Sequence, residues 1–496
     1  MIDWDESLYL LIADKWLDGY PPYTVIWDNK PPGIYLLFAL ALAVFGHSVI
    51  AIRILACIAM VAASYGLYLV GGTLNSRYGA VVGILAGVFY AFAFTINGGD
   101  SANTEIFFIP FAIFAFYLLF SKIIGLREFQ TRDYWLISCI GLVLGIGFEI
   151  KQVVLFDLIT VGLILAGSVL AQPQFRQKYL SLTIAFLALM IGFILPFLAI
   201  SLYFFWVGNF HEYFYANFTA NKLRTVDNQF STSIFSEVFN KLFDSRLMFT
   251  LCVLLLSSLI YLLIDRSINQ KERWMVFSLL VWFTIILIGF FLVFRHIYPH
   301  YLLQLNPPLA LASAYMVTRL GVLSWNQEGM RLRRRYFLLL LAVLLIVNRR
   351  AIAHPFSSGL KQVFYQHIKG IKYWQDNPGL VAEHLRNRMD ENNYIYVVDD
   401  QPIIYFLAGA KTPSKYVFPS FLLPSPDLPN ITGVKPLQEL ENIFRKNPVY
   451  IIKRHKRDKK ILENPLFYRK LHQHLDRHYV LERTIGEVNL FRLKGI

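Results

Sequence analysis

The residues best suited to chemistry begin close to the amino-terminal end of the sequence. Trp4-Asp5-Glu6 is followed by Gly19-Tyr20-Pro21-Pro22-Tyr23, and then by Trp27-Asp28-Asn29-Lys30-Pro31-Pro32-Gly33. A carboxylate such as Asp5 or Glu6 can take the proton of an attacking hydroxyl, and a lysine such as Lys30 can hold a phosphate. Double prolines beside a short apolar run would make a rigid pocket floor with Asp28 and Asn29 in it; a solvated loop is the alternative. Lys151 interrupts the apolar text Gly145–Asp157, with Glu149 and Asp157 close in sequence. Ionisable residues at membrane depth are costly and are usually functional or paired. A lysine snorkelling from a helix end is the competing reading. The stretch Gly98–Glu105 ends in a carboxylate that either begins a helix or enters a pocket, with Asp100 beside it. Arg295-His296-Ile297-Tyr298-Pro299-His300 offers an arginine for a phosphate. Its histidines are four apart, as in a helical zinc site, but Pro299 argues against the continuous helix such a site needs. The run Lys453–Lys460 is strongly basic and reads as a solvated face or a contact for anionic headgroups.

The elements that must position these residues are membrane helices. The 496 residues are 56% hydrophobic and 16% charged, with a mean hydropathy of +0.47. A soluble chain carries about a quarter charged residues, so this chain is a polytopic membrane protein. Spans are expected at Val49–Val70, Gly79–Ile96, Glu105–Ile124, Tyr134–Ile150, Val153–Leu170, Leu180–Val207, Leu247–Ile264, Trp274–Phe294, Tyr301–Leu323 and, shorter, Tyr336–Val347. Ile34–Phe45 is too short to cross and reads as interfacial or re-entrant. The net charge of +14 lies mostly in alternate short loops, as topology rather than a nucleic-acid surface. Loops carrying Arg77, Arg127, Lys178, Arg273 and Arg334 fall inside by the positive-inside rule. Residues 1–48, the loop 97–104, the turn at Glu149–Gln152, residues 208–246 and 295–300 then share the outer face. No cleavable signal peptide is expected at Met1. Cys57, Cys139 and Cys252 lie in apolar runs and read as packing residues. The membrane domain is thus expected over residues 1–348, with a soluble α/β domain over 349–496. Helical text at Leu360–Trp374 and Val381–Met389 precedes strands at Tyr394–Val398, Val449–Ile452 and Val488–Leu493, and Pro413–Pro436 reads as loop.

In the order of these features the chain resembles the GT-C glycosyltransferases. Within them it is most similar to bacterial relatives of the protein O-mannosyltransferases and the lipid A aminoarabinose transferases. The resemblance rests on Asp5-Glu6, then Gly-Tyr-Pro-Pro-Tyr, then Lys30-Pro31-Pro32 some twenty-five residues after Asp5, then Arg53, Glu105, the Gly-x-x-x-Lys text ending at Lys151, and the His-Tyr text before Pro307-Pro308. It implies a GT-C-like helical membrane protein with a small C-terminal α/β extracytoplasmic domain, in a plasma (inner) membrane. It implies a donor sugar on a polyprenyl phosphate, moved with inversion to an acceptor hydroxyl on a lipid, a glycan or a protein. Asp5 matches the presumed base of that family, and Lys30 and Lys151 match residues that contact the lipid phosphate. Family members carry a membrane helix before the Asp-Glu pair, whereas this sequence starts four residues before it. Asn29 stands where the aminoarabinose branch has glutamate.

The chemistry supports the same minimal set independently. A polyprenyl phosphate leaves as a phosphate ester, so no general acid is needed. One base and cations for the phosphate suffice. The expected catalytic residues are therefore Asp5 and Glu6, with Lys30, Lys151 and Arg295 for the phosphate. Asp28, Asn29, Asp100, Glu105, His296 and His300 are the expected pocket residues. No cofactor is required; a divalent cation on Asp5, Glu6 and Glu105 is compatible with the residues but not demanded by them. A transporter or flippase of lipid-linked sugars is the alternative. It would place its ionisable residues at mid-span in repeated halves, and here they cluster at span ends without a repeat. A nucleotide-sugar enzyme using Asp399 and Asp400 would need a glycine-rich phosphate loop, which the C-terminal segment lacks.

Overall fold

The computed structural model describes residues 3–495 except 76, 173–175, 227–231, 267, 295, 326–330, 354–360, 362–363, 365–367, 370–376, 391, 424–429 and 456–462. Fifteen helices run in order through the first part of the described chain. The first eight are α1 (Trp4–Leu17), α2 (Gly33–Phe45), α3 (Val49–Leu74), α4 (Gly79–Ile96), α5 (Thr104–Leu118), α6 (Thr131–Phe148), α7 (Leu155–Leu170) and α8 (Lys178–Trp206). Three shorter ones follow: α9 (Phe210–Phe214), α10 (Ala220–Val226) and α11 (Thr232–Asp244). The last four are α12 (Arg246–Ile264), α13 (Gln270–Val293), α14 (Asn306–Trp325) and α15 (Arg331–Val347).

A helix forms at each of the ten expected spans, with ends displaced by a few residues. Among the described residues, seven segments are long and apolar enough to cross a membrane: Val49–Leu74, Gly79–Ile96, Thr104–Ile123, Gln152–Leu170, Lys178–Trp206, Arg246–Ile264 and Gln270–Val293. Helices α6 and α14 form but are not among the seven, because Arg132 and Asp133, and Asn306 and Arg319, dilute their apolar text, and α15, with 17 residues, is too short. In α14 the residues Leu309–Tyr315 are all buried, and the helix packs against α4 and α12. Protein rather than lipid surrounds that stretch, so it can carry Asn306 and Ser313 where a lipid-facing helix could not. Helix α2 follows Pro31-Pro32 and ends at Gly46 with φ +91°. Its 13 residues are about 20 Å long, short of a hydrocarbon core of about 30 Å.

The contacts divide the chain into two compact units. One holds Met1–Arg53, Tyr203–Asn228 and Lys369–Ile496; the other holds Ile54–Leu202 and Gln229–Ile368. Residues 1–53 therefore belong to the same unit as the C-terminal segment. The Trp27 N–H donates to the Lys415 carbonyl at 2.9 Å, and the Trp27 ring meets Phe421 edge-on with centroids 4.7 Å apart. The C-terminal segment forms a four-stranded sheet, with β1 (Ile395–Val397), β2 (Tyr450–Arg454), β3 (Tyr479–Ile485) and β4 (Val488–Leu493) in spatial order β1-β2-β4-β3. β1 and β2 are parallel, and β3 and β4 pair as a hairpin turning at Gly486. Helices Pro436–Arg445 and Pro465–His478 supply Leu440, Ile443, Leu471 and Leu475 to the core over that sheet. Strand β3 was absent from the sequence expectation. The expected helix Leu360–Trp374 lies largely outside the described residues, as does most of Lys453–Lys460.

The second unit is held by glycine contacts between helices. A Cβ at Gly192 of α8 would sit 1.9 Å from the Ser138 carbonyl oxygen of α6, and one at Gly141 would sit 2.1 Å from the Leu189 carbonyl oxygen. Gly71 and Gly83 bring α3 and α4 equally close. Small residues let membrane helices approach until their backbones touch, which replaces the hydrophobic drive that is missing in lipid. A buried polar knot adds to this at one end. Glu272 of α13 accepts from Asn75 at 3.0 Å and from the Tyr315 hydroxyl at 2.9 Å, and pairs with Arg319.

Candidate active site

In the first unit, the start of α1 separates the two adjacent carboxylates by role. Asp3 caps the helix, and its N–H donates to Glu6 Oε2 at 3.3 Å, closing a reciprocal capping box. Glu6 is 1% exposed, and its Oε1 is 3.1 Å from Arg53. Its charge is thus committed to the fold. Asp5, one residue earlier, is half-buried. Its negative charge is felt at Asp28, so the helix start and the Lys30 loop are neighbours.

The Lys30 loop is rigid for reasons its residues explain. Tyr23, with φ +73°, donates its hydroxyl to the Lys30 carbonyl at 2.7 Å. The Asp28 carboxylate is buried and accepts from the Tyr35 hydroxyl at 2.8 Å and from the Asn29 N–H at 2.7 Å. Burial pushes the Asp28 carboxyl up from its ordinary range; Lys30, with its Nζ 4.0 Å away, pulls it down, and Asp5 adds to the upward push. Asn29 donates to Asn221 Oδ1 at 2.7 Å, and Asn221 donates back to the Asn29 carbonyl at 3.0 Å. Asn29 Oδ1 accepts from Lys30 Nζ at 3.2 Å. Asn29 therefore fixes both the loop and the ammonium that follows it. Asn221 was not anticipated: it lies 192 residues from Asn29 and has no local motif.

In the second unit, Lys151 stands at the break between α6 and α7. It is 8% exposed, pairs with Glu105 in the first turn of α5, and lies 4.3 Å from the centroid of the Tyr301 ring. Thr104 Oγ1 donates to the other Glu105 oxygen at 3.1 Å. A buried ammonium with a carboxylate and an aromatic face has its charge met on two sides, which is how such a residue persists at the end of an apolar helix. The paired reading of Lys151 thus displaces the snorkelling one. His300 is a neighbour of Glu105, and Gly98, with φ +74°, packs against the His300 backbone. Asp100 is exposed in the turn between α4 and α5. His296 is exposed, with Nδ1 3.5 Å from Glu237. His300 lies in a 3-10 turn, Pro299–Leu305, opened by Pro299. Arg295 lies outside the described residues. Further along α7, Asp157 accepts from Trp282 at 2.7 Å and from Gln304 at 2.9 Å.

Asp399 and Asp400 end β1, but their carboxylates serve the fold. Asp399 accepts the Arg454 N–H at 2.7 Å, and Asp400 lies 3.2 Å from the Arg454 guanidinium. Burial pushes the Asp399 carboxyl up to about 6. Among the described residues, no group of three or more His, Cys, Asp or Glu side chains is placed to hold a metal ion.

The helical multi-pass membrane region and the small sheet-bearing C-terminal segment share their fold with the GT-C structures that follow. Residues 29–200 match the family described as dolichyl-phosphate-mannose-protein mannosyltransferase. The chain is similar in structure to ArnT from Cupriavidus metallidurans bound to undecaprenyl phosphate. That likeness has a TM-score of 0.60 at 12% identity and covers 99% of this chain and 94% of that one. It is also similar to the oligosaccharyltransferase AglB from Archaeoglobus fulgidus in complex with an inhibitory peptide and a dolichol-phosphate. There the TM-score is 0.51 at 13% identity, over 91% of this chain and 65% of that one. No curated protein matches the chain by sequence.

Proposed function

We propose that the protein is an inverting glycosyltransferase that takes a sugar from a polyprenyl phosphate, with Asp5 as the base. The observation that carries this reading is the division of roles at the start of α1. Glu6 is spent on Arg53 and the helix cap, while Asp5 is half-buried beside the Asp28–Lys30 loop. In the proposed reaction the acceptor hydroxyl oxygen attacks the anomeric carbon as its proton passes to Asp5. The bond from the anomeric carbon to the phosphate oxygen breaks, and the polyprenyl phosphate departs with the electron pair. Lys30, whose ammonium donates to the Asn29 amide oxygen, is the proposed counter-charge to the phosphate in the first unit, and Lys151, paired with Glu105 in the second, is a candidate to be tested separately. The match to a mannosyltransferase family and the lipid phosphate named for the ArnT structure support a lipid-linked donor. The acceptor is a hydroxyl of a lipid, a glycan or a protein. Purified protein incubated with a polyprenyl phosphate carrying a labelled sugar should release polyprenyl phosphate as the label moves to an acceptor. Label crossing a vesicle membrane with the donor intact would identify a flippase instead.

Donor binding gives a sharper test. Lys30→Ala should weaken binding of the polyprenyl-phosphate sugar about ten- to a hundred-fold, since a hydrogen bond to a charged group is worth roughly 1.5–3 kcal/mol. At Lys151 the same change would strand the buried Glu105 carboxylate. The informative variant there is Lys151→Met with Glu105→Gln, which should show a similar loss with the fold kept. Normal donor affinity in both would move the phosphate elsewhere.

The reading also places the chemistry outside the cytoplasm. Single cysteines at Lys30, Asp100, Asn228 and Thr412 should react with an impermeant thiol reagent from the outer side. Those at Arg77, Arg127, Lys178, Arg273 and Arg334 should react only from the inner side. Outer labelling at position 334, or its absence at 412, would overturn the map after α14.

A further inference from the structure

A cavity in the second unit is independent of the proposed transfer reaction. Helix α7 begins just after Lys151 and runs for 16 residues, about 24 Å, to Leu170. At that far end, Ser168 and Gln172 border a cavity of about 700 Å³. Its cationic lining is Arg127, Lys271 and Arg273, and no carboxylate lines it among the described residues.

Each cation is set differently. Arg273 donates to the Asp265 carbonyl at 2.9 Å and also to the Leu262 carbonyl, so its guanidinium is pinned over the turn between α12 and α13. The aliphatic stem of Lys271 crosses Gly125, where φ is +94° and a Cβ would come within 3.2 Å of Lys271 Cδ. Lys271 and Arg127 side chains form no ion pair among the described residues. Trp274 lines the same cavity, with its ring held against Gly167. Its Nε1 is shielded from solvent and has no acceptor among the described residues. A buried donor without an acceptor is costly unless a ligand oxygen meets it. Apart from Gln270 the rest of the wall is apolar, with Leu259, Leu263, Phe277 and Leu280. Leu263 is 81% exposed, as suits a side chain beside lipid.

We infer that this cavity binds an anionic phospholipid. The phosphate would lie among Lys271, Arg127 and the Trp274 N–H, with an acyl chain along Leu259 and Leu263. The cations call for a negative charge, and the apolar wall gives an acyl chain a gain that a free anion would not have.

The test is retention by the full-length protein in detergent, read by native mass spectrometry with phosphatidylglycerol and phosphatidylcholine of equal chain length. Phosphatidylglycerol should be retained in preference, and raising the salt should weaken it but not phosphatidylcholine. Arg127→Gln with Lys271→Gln should reduce phosphatidylglycerol retention about twenty- to thirty-fold, at about fivefold per charge. Trp274→Phe, which keeps every charge, should give a smaller loss. Equal retention of the two lipids by the unaltered protein would overturn the assignment, a result that needs no variant to fold. So would unchanged retention in the double variant, displacement of the lipid by glycerol phosphate at equal concentration, or preference for undecaprenyl phosphate. None of these outcomes depends on whether the protein transfers a sugar.

Discussion

Asp5→Asn should leave the fold and donor binding in place and slow sugar transfer about 10²–10⁴-fold, the usual contribution of a general base. The amide has nearly the volume of the carboxylate and still hydrogen-bonds, so the first turn of α1 keeps its packing. It cannot accept the proton of an attacking hydroxyl. The loss corresponds to roughly 3–5 kcal/mol of barrier, and it should appear in the rate at saturating donor. Removing the charge of Asp5 also removes one of the two upward pushes on the Asp28 carboxyl. A pH profile that merely shifted, with the maximal rate kept, would therefore point to an electrostatic role. Glu6→Gln is the contrasting variant. Glu6 is buried, holds Arg53 at 3.1 Å and accepts the Asp3 N–H, so its loss should lower the melting temperature first. An Asp5→Asn enzyme with full activity would sink the mechanism and the reading of the Asp-Glu pair behind it.

The two carboxylates also show how far the sequence could be read. Their types and their place before Lys30-Pro31-Pro32 pointed to a site, but adjacency in sequence could not say that Glu6 is the one held by Arg53. That depended on Arg53, brought in at the start of α3, a contact with no periodic signal. Helix positions were legible because each apolar run is bounded by charge or proline, as at Pro31-Pro32 before α2 and Arg77 before α4. The lysine at position 151 was legible as an anomaly, but its partners Glu105 and Tyr301 come from other segments. Asn221 was illegible for the same reason, being an ordinary polar residue in the short helix α10. Strand β3 was missed because its side chains are mostly exposed or half-buried on both faces, so the alternation that betrays a strand is absent. The company kept by the loop before α2 was equally hidden. Trp27 meets Lys415 and Phe421 through a backbone hydrogen bond and a ring contact, neither of which has a sequence pattern.

Gly192→Leu should be the most damaging substitution for the fold itself. Its Cβ would lie 1.9 Å from the Ser138 carbonyl oxygen, and Gly141 faces the Leu189 carbonyl oxygen at a hypothetical 2.1 Å. The obstacle is backbone on a neighbouring helix, so no rotamer change can relieve it and α6 and α8 must part. Parting them also removes the close approach at Gly145, whose Cβ would lie 2.4 Å from the Phe193 carbonyl oxygen. In lipid the contact is maintained by packing alone, with no hydrophobic gain to offset its loss. Overpacking of a core usually costs about 1–3 kcal/mol, and a backbone obstacle places this case at the upper end or beyond. Gly72 of α3 supplies the control, since a Cβ there meets nothing within 4 Å. Gly72→Ala should be neutral or stabilising by about 0.5–1 kcal/mol, the ordinary gain of alanine over glycine within a helix. Thermal unfolding of the full-length protein in detergent, monitored by loss of helical signal, separates the two. If Gly192→Leu melts with the unaltered protein, α6 and α8 do not touch at these glycines, and the crossing that places Lys151 at the end of α6 would have to be redrawn.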